Sequence, residues 1–491
     1  MKKLLILSVI SSIGVCLLAS CESTIATSYS TNSIYKTTGD KSSLMELQEN
    51  IDIESNEQGE DFDTVVSIEN VPNQDVNMIG GALTHSSAYL LMKDEEGGKR
   101  SEILKDLFSS EGANFNAIRI PIGSSDFHSE EHFFTCCDIK GSDDNLLKNF
   151  TLSHDENIIS VIKEIYEIKP DLKIIAVPWS APAWMMLNAN KSSVDPDGYA
   201  LCNGTLNSKY ISTYADYLVK FVESYKDIGI TINYLSLINE PLVEYTDYPS
   251  MQMSSSTAVK VSKNVINNLP EYTALLAYDH NCEDEMYSYL SNEFHTKSMN
   301  ENYQNIAIHG YGSEPIPTAL PKLKTLYPDK NIYMTEITEY EHDSTFSNDI
   351  MYAANNTCIV PYNLGLSGTV YWNLVLDSQG EPNLGQYSTC YGIVNMDFED
   401  DGSISYSRNS AYYALSHVSK GLNISDDNTV SALRITTNND YLQGAAFRNQ
   451  SDLYELSLVN TSDNKIGFEV DFEDYSFSYQ IEGNTLITFT F

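Results

Sequence analysis

From Val76 to about residue 421 the chain keeps one rhythm, in which short apolar runs of strand length alternate with segments of helical periodicity. The runs are VNMIGGALT (76–84), AIRIPIG (117–123), KIIAVPWS (173–180), NYLSLINE (233–240), TALLAYDHN (273–281), NIAIHGYG (305–312), NIYMTEIT (331–338) and GTVYWNLVL (368–376). Continuous rather than alternating apolarity suits parallel strands covered on both faces. Between them, Ile211, Tyr214, Leu218, Phe221, Val222 and Tyr225 form a stripe at helical spacing, and Ile158, Ile159, Ile162 and Ile165 form another. Strands and helices in strict alternation predict an α/β fold, a closed (β/α)8 TIM barrel over 76–421.

Beyond residue 421 the texture changes. VSALRITT, YLQGAAFRN, DLYELSLVNT, KIGFEVDF and TLITFTF are short alternating runs separated by Asn, Asp, Ser and Gly. They predict an attached all-β sandwich domain over 422–491, which a strand from 63–75 is expected to join. Residues 22–62 are rich in Ser, Thr, Asn and acids, show no sustained periodicity, and read as an acidic flexible tether.

The N-terminus has the form of a secretory signal over 1–21. Lys2 and Lys3 precede an apolar run from Leu4 to Leu18, too short for a comfortable membrane span. LASC at 18–21 has the form of a lipobox, with Cys21 as the lipidated residue; an ordinary signal cleaved nearby is the alternative. Several acyl chains on one cysteine anchor stably. The expectation is an exported, membrane-anchored lipoprotein, on the cell surface or otherwise extracellular, that meets the membrane through Cys21 alone.

In a barrel of this kind chemistry sits where the strands end. The run ends carry Thr84 and His85 (first), Trp179 (third), Asn239 and Glu240 (fourth), Asp279 (fifth), His309 and Tyr311 (sixth), Glu336 (seventh), and Trp372 and Asn373 (eighth), with Arg119 inside the second. A lone glutamate at a strand end is ordinarily a solvated loop residue. Two of them, on the fourth and seventh strands with Asn before the first, fit the paired carboxyl groups of a glycosidase, and tryptophan rings fit the apolar face of a sugar. Arg119 either holds the nucleophile ionised or braces the barrel, and His309 is either a substrate contact or a satisfied core histidine.

Charge and cysteines narrow the partners. Lys+Arg 29 against Asp+Glu 68 leaves a net charge of −39, which disfavours a nucleic-acid partner. Cysteines 136, 137, 202, 282, 358 and 390 match no zinc pattern, so no metal and no cofactor is expected. No feature implies a protein partner.

Taken in order, GGALTHSSAYLL (80–91), RIPIGSSDF (119–127), KNFTL (148–152), VPWSAPAWM (177–185), NEP (239–241), DYPSMQM (247–253), HGYG (309–312) and YWNL (371–374) resemble glycoside hydrolase family thirty, the glucosylceramidase-like enzymes of the barrel-glutamate clan. The resemblance covers about residues 77–491. It implies a retaining β-glycosidase with Glu240 as acid/base and Glu336 as nucleophile. It also implies Arg119, Trp179, Asn239, His309, Tyr311 and Trp372 around the sugar, with His85 where the family's glucosylceramidases usually carry an aspartate that binds glucose hydroxyls. Gly310 replaces a family tryptophan. The implied substrate is a β-glucoside, a glucosylceramide-like glycolipid in the first reading. Linear β-1,6-glucan cut internally and β-xylosides are the alternatives within the family, and a carbohydrate-binding lipoprotein without catalysis is the alternative from another class.

Overall fold

The computed structural model describes residues 29–55, 62–139, 143–340, 345–384 and 390–491. The expected signal peptide and Cys21 lie outside the described residues.

Eight parallel strands close into a barrel: β1 (Met78–Ala82), β2 (Ala117–Ile122), β3 (Lys173–Pro178), β4 (Tyr234–Ser236), β5 (Ala274–Asn281), β6 (Asn305–His309), β7 (Asn331–Glu336) and β8 (Gly368–Tyr371). Each falls within one of the apolar runs. β4 is the shortest, because Asn239 and Glu240 leave the sheet and their N–H groups donate to Pro178 O and Asp279 O instead. Helices cover the outside. Glu156–Ile168 turns Ile158, Val161, Ile162 and Ile165 inward, and Ile211–Asp227 does the same with Tyr214, Leu218, Phe221 and Tyr225.

Strand alternation fixes what fills the barrel. Met78, Ala117, Ile175, Leu276, Ala307, Tyr333 and Val370, with Tyr234 packed against them, form an apolar plug drawing one side chain from each strand. Two residues beyond Ala117 the same face of β2 presents Arg119, and two beyond Ala307 the same face of β6 presents His309. Apolar filling thus gives way to polar filling toward the C-terminal mouth.

The second unit is one eleven-stranded sheet rather than a sheet built from 422–491 and one added strand. Its strands from the C-terminal part are Val430–Thr437, Leu442–Asn449, Tyr454–Asn460, Ile466–Phe472, Tyr475–Ile481 and Thr485–Thr490. Thr64–Val76 lies antiparallel to the first of these and parallel to Ile466–Phe472, so the domain is not purely antiparallel. Leu433, Leu456, Phe468, Val470, Ile487 and Phe489 meet in its core.

The flexible tether expected over 22–62 does not hold for residues 29–55. Ser33–Thr38 pairs along its length with Thr485–Thr490, and Tyr29–Ser30, Glu46–Leu47 and Asp52–Ser55 are short strands of the same sheet. Ile34 and Ile53 are buried in the core, and that apolar burial offsets a polar composition. The helix Ser410–Leu422 fixes the sheet to the barrel: its His417 bonds Thr488 and Thr37 through its two ring nitrogens, 2.8 and 2.9 Å away.

All six described cysteines are buried. No described helix is long and apolar enough to cross a membrane.

Candidate active site

Four residues that sequence reasoning singled out, Glu240, Tyr311, Glu336 and Trp372, open on one cavity of about 140 Å³ at the barrel mouth. A groove of about 410 Å³ lies on the β-domain, lined by Tyr454, Phe472, Tyr475, Phe477 and Phe491, away from both glutamates.

Arg119 organises the layer beneath the cavity. Fully enclosed, its Nη1 donates to Glu336 Oε2 at 2.5 Å and its Nη2 to Asn239 Oδ1 at 2.7 Å and Asp279 Oδ2 at 3.3 Å. Its guanidinium stands 5.1 Å from the Trp179 ring centre and 5.5 Å from that of Trp372, and the two indoles stack at 5.1 Å. Trp179 therefore backs Trp372 rather than lining the cavity. Asn239 spends its carbonyl on Arg119, which leaves its amide NH2 as the donor available to a ligand.

His309 links the acidic groups from below. Its Nδ1 lies 3.2 Å from Glu240 Oε1 and its Nε2 3.2 Å from Asp279 Oδ1. With both ring nitrogens facing carboxylates, the imidazole satisfies both contacts only when doubly protonated. Burial opposes that charge, but Glu336, Asp279 and Glu240 outweigh it and raise His309 to about 9. Asp279 reaches this position through a bulge in β5, where the backbone takes the left-handed region at Tyr278 and Asp279. Burial raises its carboxyl, yet Arg119, His309 and Thr335, whose Oγ1 donates at 2.6 Å, hold it well below the usual range.

Burial raises both catalytic candidates. His280 and His309 then pull Glu240 down to about 2, whereas Glu336 stays raised because His309 and Arg119 do not offset burial and the charge of Glu240. Ionising both at once is disfavoured, so the two carboxyl groups titrate as a pair. Glu240 itself has φ +48°, a left-handed residue immediately before Pro241. This is where the chain turns out of β4 and the carboxyl enters the cavity.

Sequence reasoning missed several lining residues. Asp126, Phe127, Tyr245, Tyr248, Asn281, Thr338 and Cys390 also face the cavity. Asp126 is half-buried, its Oδ1 has no hydrogen-bond partner, and burial and the charges of Glu336 and Glu240 hold its carboxyl well above the usual range. Asn281 Nδ2 lies 3.4 Å from Glu240 Oε1. Asp126 sits inside RIPIGSSDF and Asn281 ends the fifth run, so both were within reach of the strand-end argument.

His85 does not line this cavity. It begins the helix His85–Lys93, its Nε2 lies 3.0 Å from Asp155 Oδ1, and its ring packs edge-on against Phe134. The first strand has already ended at Ala82, so this position belongs to the helix rather than the barrel mouth. At Gly310 an added Cβ would lie 2.6 Å from Ile337 Cδ1, so Ile337 fills the space beside β7 and a large ring there requires its displacement. Among the described residues no cluster of His, Cys, Asp and Glu is arranged to hold a metal.

A barrel whose fourth and seventh strands each deliver a glutamate to one mouth cavity has the layout of a glycoside hydrolase. The chain belongs to glycosyl hydrolase family 30, whose TIM-barrel domain matches residues 76–422. It is 29% identical over 332 residues to an endo-1,6-beta-D-glucanase of Aspergillus fumigatus, a match covering 65% of this chain and 64% of that protein. It is 28% identical over 309 residues to a putative glucosylceramidase of Caenorhabditis elegans, covering 57% and 55%. The fold superimposes on the endo-beta1,6-glucanase BT3312 with a TM-score of 0.79 at 26% identity, over 93% of this chain and 98% of that one.

Proposed function

We propose that this chain is a retaining β-glucoside hydrolase with Glu336 as nucleophile and Glu240 as acid/base. The observation that carries the reading is that both glutamates open on one cavity, each held from below by a cation: Arg119 on Glu336 and His309 on Glu240.

Glu336 attacks the anomeric carbon while Glu240 gives its proton to the leaving oxygen. A glucosyl–Glu336 ester forms and the aglycone departs. Glu240, now a carboxylate, takes a proton from water, which attacks the same carbon and releases the sugar with retained configuration. Glu240 must carry a proton at the first step. The charge-assisted bond from Arg119 favours the ionised form of Glu336 without offsetting its burial and the charge of Glu240, and the carbocation-like charge that grows on the sugar beside Glu336 adds to it. Asn239 offers its amide to the 2-hydroxyl, Trp372 and Tyr311 wall the ring, and the raised Asp126 carboxyl offers an O–H donor to a sugar oxygen.

The substrate we put first is linear β-1,6-glucan, with glucosylceramide second. The similarity to endo-1,6-β-glucanases, over nearly the whole chain in the case of BT3312, supports that order. Export with a lipid anchor at Cys21 completes the reading and rests on the Lys2–Cys21 pattern. The test places purified enzyme and its Glu336→Gln variant on both substrates side by side. Gluco-oligosaccharides from the polymer are expected, absent with the variant. Glucose and ceramide from the lipid alone reverse the order, and sugar binding without hydrolysis of either overturns the catalytic reading.

A further inference from the structure

A glycosidase acid protonates the leaving oxygen, so the leaving half of the substrate lies on the Glu240 side of the cavity. The segment after Glu240 forms that side. It extends from Pro241 through a run of loop residues to Ser250, and it delivers two tyrosine rings, Tyr245 and Tyr248, to the cavity that holds both glutamates.

This segment is pinned at successive residues. Val243 N–H donates to Glu240 O at 3.2 Å, and Ser250 Oγ donates to Tyr245 O at 3.0 Å while accepting from Asn203 N–H at 2.9 Å. Ser193 N–H donates to Thr246 O at 3.0 Å, and Ser192 Oγ to Asp247 O at 2.6 Å. The rings of Tyr245 and Tyr248 pack 4.4 Å apart with their planes inclined by 31°. Tyr248 is buried and Tyr245 is half-buried. Tyr245 also lies near enough to the chemistry that, after burial, the charges of Glu240 and Glu336 help to raise its phenol.

A ring backed by a second ring and fixed by its own backbone presents a flat apolar face at little entropic cost. We propose that Tyr245 is the platform on which the leaving sugar stacks, and that it selects substrates whose leaving group is itself a pyranose. This rests on the retaining mechanism proposed above and names its substrate class: β-linked gluco-oligosaccharides and polysaccharides rather than glycosides of a single flexible chain. A pyranose offers a face of C–H groups that matches an aromatic ring. An alkyl chain offers no such plane and loses rotational freedom when it is held.

The experiment compares two substrates that share the sugar to be transferred. In β-1,6-linked gluco-oligosaccharides the leaving group is a sugar, whereas in β-glucosyl fluoride it is a single atom that cannot reach Tyr245. The ratio of kcat/KM on the oligosaccharide to kcat/KM on the fluoride is expected to fall about 10–100-fold in Tyr245→Ala and to stay within about threefold of wild type in Tyr245→Phe. Transfer of glucose from the fluoride to an added gluco-oligosaccharide acceptor falls with it. An unchanged ratio, whether both rates hold or both fall together, overturns the platform. A wild-type enzyme that turns over the fluoride but not the oligosaccharide overturns it as well, with the reaction left standing. A wild-type enzyme that turns over neither overturns the retaining mechanism beneath it.

Discussion

Arg119 Nη1 and Glu336 Oε2 lie 2.5 Å apart in an enclosed layer at the barrel mouth, where Arg119 also holds Asn239 and Asp279. One guanidinium therefore holds both the proposed nucleophile and the asparagine that precedes the proposed acid/base.

Removing that guanidinium leaves Glu336 and Asp279 enclosed without their counter-charge. Arg119→Gln is expected to destabilise the fold by about 3–5 kcal/mol, the range for breaking one partner of a buried pair. In whatever fraction folds, kcat is expected to fall by at least about a hundredfold. Thermal melting alongside active-site-normalised kinetics checks both. Near-native stability and turnover would mean that Arg119 only fills space.

His309 sets a pH dependence with a definite sign. Its folded-state value is raised to about 9 from the 6.5 of an ordinary imidazole. The stability it contributes is therefore fully present below about pH 6.5 and is lost as pH rises through about 9. Loss of the imidazolium also strips Glu240 and Asp279 of a partner, so activity should fall over the same alkaline window. His309→Gln is expected to remove this dependence from denaturation midpoints measured between pH 6 and 10. An unchanged slope would contradict the assignment.

His85 separates structure from binding. Its partner Asp155, which also accepts from Tyr225 OH at 2.8 Å, is buried. His85→Ala should lower stability by about 1–3 kcal/mol, the range for leaving a buried polar group short of a partner, with KM for β-glucosides held within about twofold. A large KM change at unchanged stability would return His85 to the sugar site.

Glu240→Ala should lose turnover of substrates with poor leaving groups by about a thousandfold or more. Substrates whose leaving group needs no proton are expected to suffer less, and azide should restore rate by attacking the glucosyl–Glu336 ester. Product analysis then finds β-glucosyl azide. Its absence, with no rate recovery, would argue against Glu240 as acid/base.

Much of this architecture is legible in the chain because parallel strands buried on both faces leave unbroken apolar runs. A functional residue at the end of such a run announces itself by being polar, as Glu240, His309 and Glu336 do. Asp279 reaches the site only through a β5 bulge and two left-handed residues, which no periodicity encodes. Asp126, Tyr245 and Tyr248 lie on loops, where side-chain direction follows from tertiary hydrogen bonds rather than from spacing. His85 misleads for the opposite reason, since the run it closes outlasts its strand and passes into a helix. The short strands of 29–55 are hidden by polar composition, because few of their apolar residues reach the core and others that are buried, such as Thr37 and Thr38, are polar.

In the proposed mechanism Glu336 carries the sugar between the two displacements. The most direct measurement incubates the enzyme with 2-deoxy-2-fluoro-β-glucosyl fluoride, which forms the ester faster than water breaks it, and maps the added mass by peptide mass spectrometry. One fluoroglucosyl group per chain is expected on the peptide containing Glu336, absent in Glu336→Gln. A label on the Glu240 peptide, or on no carboxylate while natural substrate is still cut, would contradict it.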